Sequence, residues 1–167
     1  MVRMAEFAAS QHPGDVLVSL GLGSCIGVAL LEDSHRVAAL AHVVLPNSGD
    51  APAVDNAAKF ADTAVPLLVN EVIRLGVARS RIWAVMVGGA QMFALGGATL
   101  DIGRRNDASV KRALDSARIP VRATVTGGTV GRTVRVYVGQ GRVTCKEAGG
   151  PELDVITSER MGLARAA

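Results

Sequence analysis

The stretch VLVSLGLGSCIGVALL, residues 16–31, decides the fold of this chain. Its two apolar halves are typical of β-strands, and the glycines between them are incompatible with one continuous helix. A polar turn at 32–35 then leads into RVAALAHVVL, residues 36–45, which is apolar on both alternating faces. Such a strand is buried on both sides. The sequence therefore predicts a central antiparallel pair of strands, 24–31 and 36–45, joined by a hairpin.

This strand pair carries one cysteine and one histidine. Cys25 follows the glycine turn, where the backbone N–H groups of Gly23, Ser24 and Cys25 are expected to be free to bind an oxyanion. His42 lies on the next strand, so antiparallel pairing would bring the two side chains near one place. A lone cysteine or histidine in a buried strand is more often an inert core residue. The spacing alone leaves both interpretations open.

Composition limits the fold and the partners. The chain has 167 residues, of which 49% are hydrophobic and 3% aromatic, which favours one α/β domain over residues 1–167 with an aliphatic core. The net charge of +3, with few aromatic side chains for base stacking, does not indicate nucleic-acid binding and suits an acidic protein partner. Two widely separated cysteines indicate neither a disulfide framework nor a zinc site. They favour a reduced, cytoplasmic compartment, and no metal or cofactor is expected.

The sequence argues against a membrane-spanning helix, a signal peptide and a dinucleotide-binding motif. Residues 16–31 are shorter than the roughly 20 residues of a membrane-spanning helix, and glycines interrupt the uncharged stretch 82–100. The amino terminus lacks the apolar region of a signal peptide, so no membrane insertion is expected. The glycines at 21, 23 and 27 do not form a dinucleotide-binding motif, because a strand and not a helix follows them.

Two amphipathic helices complete the predicted elements. Apolar side chains recur at helical spacing over 57–75, where Pro66 is expected to introduce a kink. A short strand at 99–102 precedes a second helix, which Asn106 is expected to cap. Strands between 121 and 146 are expected to finish a single sheet. The tail, 147–167, is expected to be ordered only by docking, if at all.

A glycine-flanked loop after residue 87 contains Met92 and Phe93. Apolar side chains in such a loop usually form a hydrophobic plug beneath it. The same two side chains could instead dock a substrate or a partner, because flexible apolar residues adapt to a protein surface. Both interpretations stay open at this point.

Six motifs, in this order and spacing, resemble the CheD family of chemoreceptor glutamine deamidases: GLGSCIGV, AHVVLP, DTAVPLL, VGGAQMF, IGRRN and GGTVGR. The resemblance covers residues 12–146. It implies a three-layer α/β fold of the α+β type, with a mixed or antiparallel sheet and two main helices. It also implies a papain-like cysteine and histidine arrangement similar to that of the cytotoxic necrotizing factor toxins. Val125 stands where the family is expected to have a more polar residue.

The same resemblance assigns roles to three side chains. Cys25 matches the nucleophile, His42 the general base, and Ser19 stands at the position of a family threonine that orients the base. The implied reaction is hydrolysis of selected glutamines on the cytoplasmic helices of methyl-accepting chemotaxis receptors, through a cysteine thioester. An imidazolium beside Cys25 is expected to lower the pKa of the thiol. The alternative is an adaptor without catalysis that binds receptors or a CheC-type phosphatase.

Overall fold

The computed structural model describes residues 1–34, 36–49, 56–91 and 101–157, and nine β-strands and two α-helices lie within them. The strands are β1 (Phe7–Ser10), β2 (Val16–Leu22), β3 (Ile26–Glu32), β4 (Ala38–Val43), β5 (Ile82–Gly88), β6 (Val121–Thr126), β7 (Arg132–Tyr137), β8 (Arg142–Glu147) and β9 (Glu152–Ile156). The helices are α1 (Ala61–Arg74) and α2 (Ile102–Ser116), and a short 3₁₀ helix, Arg79–Arg81, precedes β5.

The strands form two sheets. The first has the order β1-β4-β3-β5-β6 and the second the order β2-β7-β8-β9. All neighbours are antiparallel except β5 and β6, which run parallel and are connected through α2. The predicted central hairpin of β3 and β4 is confirmed, with Ile26 opposite Val43 at the end of the ladder.

The five-stranded sheet is covered on both faces. Val28 and Leu30 point into a cluster with the buried side chains of both helices. The alternate residues Ala29 and Leu31 point into a second cluster with the inner face of the four-stranded sheet. The order of layers is therefore helices, five-stranded sheet, four-stranded sheet. Coverage on both faces explains why β3 and β4 are apolar throughout.

The predicted α+β class, with two amphipathic helices and mixed and antiparallel pairing, is confirmed. The prediction of a single sheet is wrong, because β7 and β8 pair with β2 in a second sheet. Burial alternates along β7, so only one of its faces is covered. A strand of this kind belongs in an outer layer, not in the centre.

The start of the second helix also differs from the prediction. The helix begins at Ile102, and Asp101 occupies its N-cap position. Asn106, predicted as the cap, lies inside the helix and is completely buried. Part of the predicted strand at 99–102 lies outside the described residues, and Ile102 belongs to the helix. The first helix starts at Ala61, four residues later than predicted, with Pro66 in its second turn.

Two strands at the sheet edges were not predicted. β1 pairs with β4, and β9 pairs with β8 inside the segment expected to form a loose tail. Within the tail, Glu152–Ile156 is ordered by docking on β8, and 158–167 lies outside the described residues. Within the described ranges, neither helix has both the length and the apolar character needed to cross a membrane.

Candidate active site

The layer between the two sheets contains the proposed nucleophile and base. His42 lies in β4 opposite Gly27 of β3, and only 2% of its surface is exposed. Residues two apart in an extended chain point to the same face, so Cys25 shares the face of Gly27 and of His42. Cys25 also packs in the apolar cluster between the sheets. The two side chains are therefore diagonal neighbours across the β3–β4 pair, a separation that longer side chains can span.

Gly27 lies on this face between the two side chains. A Cβ atom there would come within 2.9 Å of Leu22 Cδ1 and 3.1 Å of Val134 Cγ1. Real side chains almost never make contacts as close as the first of these, so a larger residue would push the four-stranded sheet away. Glycine at this position therefore lets the two sheets close tightly over the site.

Ser19 connects the four-stranded sheet to the imidazole. Its Oγ lies 2.8 Å from Nδ1 of His42, and the serine is completely buried in β2. When Nδ1 carries the ring proton it donates to the serine oxygen, and Nε2 is then the nitrogen able to accept a proton. This hydrogen bond fixes the ring plane and is compatible with the tautomer that a general base needs.

The other ring nitrogen of His42, Nε2, is buried and makes no hydrogen bond of ordinary geometry with any residue that the structure describes. It is therefore not hydrogen-bonded to the Cys25 sulfur. Catalytic hydrogen bonds are often long or misaligned in the absence of substrate and shorten when it binds. The structure thus brings Cys25 and His42 to the same face without joining them by a hydrogen bond.

Burial shifts the two ionisable groups in opposite directions. The pKa of Cys25 is raised because burial disfavours the thiolate, and the residue's own backbone amide partly opposes this rise. The pKa of His42 is lowered because burial disfavours the imidazolium, with the backbone of Val2 acting in the opposite sense. Both directions favour a neutral thiol beside a neutral imidazole. The expected lowering of the Cys25 pKa applies once His42 is an imidazolium, and it stays a prediction.

Three consecutive carbonyl groups around Cys25 are held by neighbouring elements. The N–H of Ala90 donates to the carbonyl oxygen of Gly23 at 2.7 Å, and the N–H of Gly89 donates to that of Cys25 at 2.8 Å. Between them, Nδ2 of Asn106 donates to the carbonyl oxygen of Ser24 at 2.9 Å. In a trans peptide the N–H points away from the carbonyl. The N–H groups of Ser24 and Cys25 are consequently directed away from these three donors.

The amides of the turn are not equivalent. Gly23 already donates its N–H to the carbonyl oxygen of Gly21 at 2.9 Å. The N–H groups of Ser24 and Cys25 make no backbone hydrogen bond within the described part of the chain. Two adjacent amides of this kind form a concave donor pair suited to an anion. The geometry thus favours Ser24 and Cys25 over Gly23 as oxyanion donors.

Gly88 makes the close approach of β5 to Cys25 possible. Its φ of +119° is a conformation that other residues rarely adopt. A Cβ atom there would lie 2.2 Å from the carbonyl oxygen of Cys25. Any side chain at this position would therefore displace the backbone of Cys25.

The amino-terminal segment covers the histidine from the other side. Ala5 donates its N–H to the carbonyl oxygen of His42 at 3.0 Å, and His42 donates its own N–H to that of Glu6 at 2.9 Å. Val2, which is 1% exposed, donates to Val18 next to Ser19. Sequence reasoning missed these contacts, because they are made by backbone groups outside the span of the recognised motifs.

The predicted docking residues, Met92 and Phe93, lie outside the described residues. In the part of the chain that is described, no three His, Cys, Asp or Glu side chains form a group that could hold a metal ion. Both cysteines are free thiols.

Comparisons with known proteins add a family and named relatives. The family model described as CheD chemotactic sensory transduction matches residues 44–147, which begins just after His42. A probable chemoreceptor glutamine deamidase CheD of Desulfitobacterium hafniense (strain DSM 10664 / DCB-2) is 44% identical over 142 residues, covering 84% of this chain and 88% of the relative. A protein of the same name from Moorella thermoacetica is 42% identical over 153 residues, covering 90% and 91%.

Proposed function

This chain belongs to the CheD family, and we propose that it hydrolyses selected glutamine side chains of methyl-accepting chemotaxis receptors to glutamates, with Cys25 as the nucleophile. The observation that carries the roles of the residues is the tethered imidazole. Ser19 engages Nδ1 of His42 on the face that also carries Cys25, and Nε2 has no hydrogen-bond partner in the described part of the chain. That is the arrangement a cysteine hydrolase needs.

The first half of the reaction forms a thioester. Nε2 of His42 accepts the thiol proton of Cys25 while the sulfur attacks the carbonyl carbon of the glutamine side chain. The carbonyl π pair moves to the oxygen, which becomes an oxyanion. When the intermediate collapses, the C–N bond breaks, and the imidazolium returns its proton to the departing nitrogen. The products are ammonia and a glutamyl thioester of Cys25.

The second half releases glutamate. Nε2 of His42 accepts a proton from water as the water oxygen attacks the thioester carbon. Collapse of this intermediate breaks the C–S bond, and the sulfur regains a proton from the imidazolium. The side chain leaves as a carboxylate after ordinary loss of its proton to solvent. The free thiol and neutral imidazole are thereby restored.

The oxyanion of both intermediates needs hydrogen-bond donors. We assign this role to the backbone N–H groups of Ser24 and Cys25, which make no backbone hydrogen bond in the described structure. Preorganised donors of this kind stabilise charge where it develops. Gly23, which the sequence also predicts as a donor, already donates to Gly21 and contributes by shaping the turn.

We further propose that the site is papain-like in its division of labour, with the cysteine and histidine on separate strands and a hydroxyl group orienting the ring. This is the arrangement that the resemblance to the cytotoxic necrotizing factor toxins implies. The substrate is a receptor's cytoplasmic helical region, and the protein would act in the cytoplasm. A CheC-type phosphatase is a second proposed partner, supported only by family resemblance.

The test uses the two cysteines of the chain. Cys25→Ala and Cys145→Ala are incubated with purified receptor cytoplasmic fragments, and conversion of glutamine to glutamate is followed site by site by mass spectrometry. We expect no conversion above background with Cys25→Ala and conversion close to wild type with Cys145→Ala. Equal conversion by Cys25→Ala and wild type would refute the enzymatic role of Cys25.

Two additional arms separate the alternatives. An adaptor would bind the receptor fragment in a pull-down yet convert no glutamine even as wild type. A transglutaminase would use the same thioester but transfer it to an amine, so an added primary amine would appear on the receptor in place of glutamate. For a deamidase, we expect glutamate to remain the main product when the amine is present.

A further inference from the structure

Asn106 is a buried side chain that joins the segments carrying the nucleophile and the base. It lies on α2 and is completely buried. Its Nδ2 donates to the carbonyl oxygen of Ser24 and to the carbonyl oxygen of Val44, each at 2.9 Å. Ser24 precedes Cys25, and Val44 lies two residues after His42. One amide group thus holds both segments at the point where the ladder between β3 and β4 ends.

The orientation of the amide follows from its partners. Both neighbouring atoms are carbonyl oxygens, which only accept hydrogen bonds, so the NH₂ group must face them. The other amide atom, Oδ1, is buried and has no hydrogen-bond partner among the described residues. The amide therefore gives its donor side to the two carbonyl groups.

The contact with Ser24 also determines the direction of a neighbouring N–H. The carbonyl of Ser24 and the N–H of Cys25 belong to one planar trans peptide, so fixing the first fixes the second. A hydrogen bond to the carbonyl polarises the same peptide and strengthens its N–H as a donor. The N–H of Cys25 is one of the two amides assigned above to the oxyanion.

We propose that Asn106 is a positioning residue for deamidation, which holds the Ser24–Cys25 peptide so that the N–H of Cys25 meets the developing oxyanion. The inference rests on the proposed function and adds a residue that touches neither the substrate nor the reacting atoms. Gly89 and Ala90 hold the carbonyl groups on either side. Asn106 alone holds the middle carbonyl among the described residues.

The experiment separates oxyanion stabilisation from reactivity of the thiol. Deamidation needs the oxyanion donors, whereas alkylation of a thiolate by iodoacetamide displaces iodide and forms no oxyanion. We would measure kcat and KM for receptor deamidation, and the rate of Cys25 alkylation by peptide mass spectrometry, in Asn106→Ala and Asn106→Leu. The alanine variant leaves room for a water molecule that can bond to the two carbonyl groups. Thermal unfolding verifies that each variant is folded.

We expect kcat to fall about tenfold or more, approaching the roughly 100-fold cost of removing an oxyanion donor itself. The KM should stay within about twofold of wild type. The alkylation rate of Cys25 should fall much less than kcat, because the N–H of Cys25 opposes only part of the rise in the thiol pKa. Ser109→Ala is the matched control. Ser109 is buried one turn further along α2 and bonds to Asn47 and Arg112, so its loss should leave kcat unchanged.

Three results would overturn the proposal. An unchanged kcat in a folded Asn106 variant would remove the link to catalysis. A parallel loss of alkylation would mean that Asn106 holds the thiol and not the oxyanion donor. Failure of both variants to fold would mean that the contact serves the fold as a whole. Absence of deamidation by the wild-type chain would instead refute the proposed function. Failure of the proposed function is thus distinguishable from failure of the proposal for Asn106.

Discussion

Cys25 and Cys145 are both free thiols in the layer between the two sheets, and they differ in the backbone around them. Both are nearly buried, with 9% and 6% of their surfaces exposed. Burial raises the pKa of each thiol. Neither exposure nor pKa therefore distinguishes the proposed nucleophile from the other cysteine.

The difference is in the hydrogen bonding and the neighbours. Cys145 lies within β8, with Val134 on one side of the ladder and Leu153 on the other, and its nearby charges are Arg132 and Glu147. Cys25 precedes its strand, so its N–H is not used by a ladder, and it shares its face with His42. The proposed nucleophile therefore differs from Cys145 by an available amide and a neighbouring imidazole. Burial alone does not define it.

The largest effect is expected when the base is removed. His42→Gln keeps a side chain of similar reach but no group that accepts the thiol proton and returns it. We expect deamidation to fall by about 10² to 10⁴-fold, the usual contribution of general acid–base catalysis. Receptor conversion by mass spectrometry measures the loss, and the alkylation rate of Cys145 in the same sample should not change.

His12→Gln is the control for this change, because His12 lies on the surface away from the layer between the sheets. It should behave as wild type. If His42→Gln retained more than about a tenth of the wild-type rate, the contrast between the two cysteines would no longer depend on the imidazole.

The strands show which parts of the fold could be predicted from the sequence. The central hairpin was predicted because continuous apolar strands report burial on both faces, and a short polar turn leaves little choice of partner. The partner of β7 was not predicted, since its alternating pattern reports one covered face without saying which strand lies beside it. The local pattern of apolar residues thus predicts how many faces of a strand are covered, but it does not predict which strand pairs with it.

Whether a contact of the site could be predicted depended on how far apart its residues lie in the sequence. Cys25 and His42 lie on adjacent strands, so pairing alone brought them to one face. Asn106 reaches Ser24 from 82 positions away in sequence and Val44 from 62. Its local signals, a helix cap and the end of the motif IGRRN, indicate neither of these partners. Contacts made by the amino-terminal backbone carry no side-chain signal. Tertiary contacts of this kind are invisible to spacing.

A smaller effect is expected when the orientation of the base is loosened. Ser19→Ala removes the partner of Nδ1 and leaves two buried ring nitrogens to compete for one proton. A hydrogen bond between neutral groups contributes about 0.5–1.5 kcal/mol, which corresponds to about a twofold to tenfold loss of kcat. Ser19→Thr keeps the hydroxyl and should be as active as wild type. If Ser19 only filled space, the additional methyl group of threonine would itself lower kcat, because the site is tightly packed.

Ser10→Ala is a matched control for the loss of a buried hydroxyl, because Ser10 bonds to Asp15 and not to His42. Steady-state kinetics of the three variants on one receptor fragment gives the comparison. Full activity of Ser19→Ala would mean that Cys25 differs from Cys145 without help from the orienting hydroxyl.

The smallest expected effect is a displacement of the pH dependence. The lowered pKa of His42 keeps the imidazole neutral at neutral pH, and only the neutral ring accepts the thiol proton. As pH falls, kcat/KM should therefore stay constant through about 6.5, the ordinary pKa of histidine, and decline only below it. Alkylation of Cys25 and Cys145 should both accelerate as pH rises beyond about 8.5, because each thiol has a raised pKa. Rapid alkylation of Cys25 at pH 6, with Cys145 inert, would instead reveal a preformed thiolate and imidazolium, and would make electrostatics the main difference between the two cysteines.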